Sequence, residues 1–100
     1  MATAGEMRAH LAHCTMKAGE GYASLETAKE NIGAAIEAFK EAYEVAAVAT
    51  DGHEHPSAAA TVQLYIEAES HARAMIGKLE EAQSAAMGGN EAAQMYMGGF

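Results

Sequence analysis

The chain has 100 residues, six Lys+Arg against fourteen Asp+Glu, and a formal net charge of −8 at pH 7. One hundred residues supply a single core, and an acidic surface without a basic stripe or aromatic platform excludes nucleic acid as a partner. No apolar run approaches the ~20 residues that cross a bilayer.

The N-terminal stretch MATAGEMRAH has neither the basic segment nor the apolar core of a secretory signal. The lone cysteine, Cys14, can form no internal disulfide. The expected location is the cytoplasm, or outside the cell by a route needing no cleaved signal.

Alanine and glutamate dominate, tryptophan is absent and proline occurs once, so the fold class is all-α. A first helix is expected over about 5–49. One series of its residues recurs every seventh position: Leu11, Ala18, Leu25, Ile32, Phe39 and Ala46. An interleaved series, Met7, Cys14, Gly21, Ala28, Ala35, Ala42 and Ala49, completes a heptad pattern. Tyr22, Ile36 and Tyr43 widen the stripe on one flank. Glu20, Glu26, Glu30, Glu37, Glu41 and Glu44 read as the solvated face.

The corner TDGHEH, within about 50–55, follows. Gly52 suits the left-handed residue that stops a helix, and Pro56 suits a first helical position. Asp51, His53, Glu54 and His55 could in principle hold a divalent ion, but side chains of a tight corner diverge while a site needs three or four converging ligands. The corner reads as a turn.

A second helix is expected over about 56–87, its seam formed by Thr61, Tyr65, Ala68, Ala72, Met75, Leu79, Ala82 and Ala86, with Val62 and Ile76 beside it. A short connection places consecutive helices antiparallel. Gly88 and Gly89 then read as a stop, and Asn90 as the N-cap of a short third helix over about 91–97. Folding the chain about residue 53 sets Gly88 roughly opposite Ala18, and GGN beside Gly19 and Gly21, where the backbones are expected to touch or bend.

That folding also brings Met7, His10, His13, Cys14 and Met16 near Met87, Met95 and Met97. Soft sulfur with imidazole suits Cu(I), so the alternative reading is a helical-bundle metal protein whose ligands include His10, His13 and Cys14. Methionine is equally a filler of irregular helix-end packing. Ferritin-like di-iron sites need Glu-x-x-His, which the chain lacks. Neither a nucleophile elbow nor a zinc-protease motif is present, so no enzymatic activity, cofactor or small-molecule substrate is expected.

Two helices packed on one seam leave apolar flanks wet, and the natural cover is another hairpin, giving a four-helix bundle. The expected interface residues are Leu11, Ala18, Leu25, Ile32, Ile36, Phe39, Tyr43, Tyr65, Met75, Ile76 and Leu79. The sticky tail, Met95, Tyr96, Met97 and Phe100, is expected to cover the end of the first helix or dock on a neighbour.

With its alanine-rich heptads, the acidic corner ATDGHEHPSAA and the later GGNEAAQMYM, the chain resembles the WxG-like helical hairpins of type VII secretion and similar actinobacterial hairpins. That resemblance covers nearly the whole chain and implies a non-enzymatic hairpin that pairs with itself or a similar helical subunit, as adaptor, secreted partner or assembly component. The WxG tripeptide itself has no counterpart here, and no Tyr-x-x-x-Asp/Glu follows Tyr96.

Overall fold

A computed structural model describes residues 3–99. Among these residues there is no strand: the chain is two long helices, α1 (Ala4–Ala49) and α2 (Pro56–Gly98), joined by a corner over 50–55. Neither helix is long and apolar enough to cross a membrane.

Local chemistry fixes the ends. Thr3 opens α1, its Oγ1 accepting the Glu6 N–H at 3.1 Å, the first half of a Thr-x-x-Glu capping box. At the other end Gly52 takes the left-handed conformation (φ 75°) that terminates the helix with little steric cost. His55 then caps α2: its Nδ1 accepts the Ser57 N–H at 3.1 Å, and Pro56 occupies the first helical position.

The third helix expected over 91–97 does not exist as a separate element, because α2 runs through Gly88, Gly89 and Asn90 without a break. Two helical glycines cost about 2 kcal/mol relative to alanine. Asn90 is not a cap; it is half-buried in the seam, with Ala86, Ala93 and Met97 following the same inward stripe. Nor do backbones meet at the glycines. A Cβ built on Gly19, Gly21, Gly88 or Gly89 would find nothing within 4 Å.

The hairpin divides into two compact units. One comprises the residues up to Thr27 with those from Leu79 onward; the other comprises Ala28–Lys78. The first joins the beginning of α1 to the end of α2 around Leu11, Ala18, Leu25, Leu79 and the buried Gln83. The second holds Ile36, Ala46 and Ala72, the buried apolar residues of the chain, beside half-buried Ile32, Phe39, Tyr43, Val62 and Ile76.

The inward stripe of α1 includes the Leu11 row as expected, but its second row is displaced by one residue. Thr15, Tyr22, Lys29, Ile36, Tyr43 and Thr50 are all half-buried or buried, whereas Cys14, Gly21 and Ala49 are exposed. On α2 the row Ala58, Ala72, Leu79, Ala86 and Ala93 is inward, and its companion is Val62, Glu69, Ile76, Gln83, Asn90 and Met97. The expected companions Met75 and Ala82 are exposed. Both helices are therefore turned by one position, and the small-residue rows lie on the flank of the seam.

Candidate interaction surface

The turn of both helices puts polar groups inside. Glu69 is 9% exposed and Gln83 4%, each seven or a multiple of seven residues from the other polar seam residue, Asn90. Burial of such groups is tolerable only with partners, and each has them. In the first unit the Gln83 amide donates to Glu26 Oε2 at 2.8 Å and to the Tyr22 carbonyl at 3.3 Å. The Asn90 amide donates to the Thr15 carbonyl at 3.4 Å. Moving seven residues forward on α1 (15 to 22) corresponds to seven back on α2 (90 to 83), so both contacts report one antiparallel register.

In the second unit Glu69 Oε1 accepts from Arg73 Nε at 2.9 Å and from Arg73 Nη2 at 2.7 Å, one helical turn away. The Tyr43 hydroxyl donates to the same carboxylate from α1. Desolvation, then the Glu69 charge and this hydrogen bond, with a smaller contribution from Glu44, raise the Tyr43 pKa above 10.0; Lys40 opposes them. No buried side-chain nitrogen or oxygen among the described residues lacks a partner. These groups fasten the two helices to each other.

The eleven expected interface residues divide. Leu11, Ala18, Leu25, Ile32, Ile36, Phe39, Tyr43, Ile76 and Leu79 are half-buried or buried, on the stripe along which α1 and α2 face each other. Tyr65 and Met75 are exposed. His10, His13 and Cys14 are exposed too, and no group of three His, Cys, Asp or Glu that could hold a metal ion occurs among the described residues. The tail residues Met95 and Tyr96 are exposed, Met97 is half-buried in the seam, and Phe100 lies outside the described residues.

Sequence reasoning missed Gln83 and Asn90. Their signal was present: Val62, Glu69, Ile76, Gln83, Asn90 and Met97 keep a strict seven-residue spacing, which a search for apolar residues passes over.

What remains open to solvent is apolar. Val45 and Leu64 are each 61% exposed, and Val48, Tyr65, Ile66 and Met75 are exposed in the same unit. An open groove of about 470 Å³ lies between Ala38, Ala42 and Val45 of α1 and Thr61 and Tyr65 of α2, with Glu41 also lining it. A shallower hollow over Val45, Val48 and Ala49 adjoins it. In the first unit a second groove, of about 310 Å³, is lined by Ala18, Gly19, Tyr22, Ala86, Met87 and Asn90.

No family model, no curated protein and no solved structure matches the chain.

Proposed function

We propose that the protein is a non-enzymatic helical hairpin that works by association, packing its apolar flank against a second helical subunit of its own or a similar kind. Completion of a four-helix bundle is the simplest product, and an adaptor, a secreted WxG-like partner or an assembly component are the roles it fits. The observation carrying this reading is an incomplete core. Ile36, Ala46 and Ala72 are the only hydrophobic residues buried among those described, while Val45, Val48, Leu64 and Met75 stand in solvent. Each large aliphatic side chain moved from water into an interface contributes about 1.5–3 kcal/mol.

Surface area supports the same reading. The chain leaves 6948 Å² accessible, against about 5,400 Å² for a compact monomer of its mass by the usual surface–mass scaling. The test is the thermal midpoint as a function of protein concentration. Association that stabilises the folded chain makes the midpoint rise with concentration; a midpoint constant over a hundredfold range contradicts the reading.

A further inference from the structure

We infer that the uncharged flank of the second unit is a two-fold interface, and that its occupant is the same flank of a second copy of this chain. The inference rests on the association reading above and adds the face and the partner to it.

The face follows from the displaced heptad. Ala28, Ala35, Ala42 and Ala49 precede the inward row of α1 by one residue, and Thr61, Ala68 and Met75 precede that of α2 by one. In an antiparallel pair the positions preceding the inward row lie on the same side of both helices. The groove confirms it, since Ala42 and Thr61 line it together. Val45 and Leu64 extend the same side outward, each three residues beyond a member of its row.

None of these residues carries a charge, in a chain where one residue in five does. Even Thr61 presents no unspent donor, because its Oγ1 donates to the Ser57 carbonyl at 2.6 Å. Small side chains on both helices let another helix pair approach closely, and the groove between them accepts larger side chains such as Leu64 or Tyr65 of the facing copy.

Charge selects the occupant. A chain of net charge −8 repels its own copies wherever acids face each other. A basic partner would instead be drawn to surfaces such as the one bearing Glu37, Glu41 and Glu44. A face without charge is the one on which two copies can meet, and a two-fold axis requires only that it be complementary to itself. The area suffices as well. The accessible surface exceeds the compact expectation by roughly 1,500 Å², and a stable dimer covers about 800 Å² per subunit.

The experiment is light scattering coupled to size exclusion on three chains. Wild type is expected at twice the chain mass of 10.4 kDa. Val45→Glu/Leu64→Glu, which puts acids on two already exposed positions of this flank, is expected at the monomer mass with its helical circular dichroism retained. Ala47→Glu/Ile66→Glu, on the opposite flank, is expected to stay dimeric. Val45→Ser/Leu64→Ser removes apolar area without adding charge, and is expected to weaken the dimer roughly tenfold or more. If the first double variant and the serine variant both remain as dimeric as wild type, the assignment of this face is overturned while association stands. Monomeric wild type overturns both.

Discussion

Gln83 Nε2 lies 2.8 Å from Glu26 Oε2, a polar bond made from one of the most buried positions of the chain. A seam that were only greasy would tolerate sliding by one heptad with little loss, since alanine and leucine fit many neighbours. Gln83 and Asn90 do not: each displaced partner leaves a buried amide unsatisfied, at about 1–3 kcal/mol. Polar seam residues that fix register at some cost in stability are known from coiled coils.

Replacing both amides tests this division between stability and specificity. Gln83→Leu/Asn90→Leu is expected to unfold at a urea midpoint equal to or above that of wild type. Spin labels at the exposed positions Ala23 and Ser84, in a Cys14→Ser background, are expected to give one narrow distance distribution with the amides present. Without them the distribution broadens or splits. An unchanged narrow distribution in the double variant would remove the register role.

Glu69 is expected to be the most sensitive single acid in the second unit. Glu69→Ala strands the Tyr43 hydroxyl and the Arg73 guanidinium contacts, costing about 1–3 kcal/mol of folding stability in denaturant titrations. Glu67→Ala, two residues away and exposed, is expected within about 0.5 kcal/mol of wild type.

The same pair gives a pH dependence with a definite sign. Tyr43 is a neutral acid whose pKa in the folded chain is raised above 10.0, first by desolvation and then by Glu69. Such a group contributes its stability in full below its unfolded pKa and loses it as pH rises through the folded value. The wild-type urea midpoint is therefore expected to fall above pH 10 more steeply than that of Tyr43→Phe. Parallel curves for the two would show that the contact is absent in solution.

The glycines separate a continuous helix from a broken one. Gly88→Ala and Gly89→Ala are each expected to raise stability by about 1 kcal/mol, because both are helical and a Cβ there meets nothing within 4 Å. Gly52→Ala is expected to lower it by about 1–2 kcal/mol, since its positive φ is strained for any residue with a Cβ. Thermal denaturation of the three variants checks both signs.

The particular residues show how far the sequence reached. The corner, Gly52 and the Leu11 row stood out because each rests on a single strong local signal: a positive-φ glycine, a proline start, a large residue every seventh position. The displaced second row did not. Cys14, Gly21 and Ala28 look apolar, while Thr15, Tyr22 and Lys29 look mixed, so hydropathy favours the wrong neighbour. Long amphipathic side chains can lay their stems along a seam and keep their polar tips satisfied, and Tyr43 does so through Glu69. Likewise Asn90 carries two possible meanings, cap or seam amide, and only its carbonyl partner on α1 decides between them. The row of small residues that looked like the seam became the candidate interface.

Association is the claim on which the functional reading depends, and sedimentation equilibrium of the wild-type chain from 1 to 100 µM addresses it without any variant. The reading predicts a monomer–dimer equilibrium, or a dimer throughout, with mass rising toward twice 10.4 kDa. A single ideal species of 10.4 kDa at every concentration would contradict it.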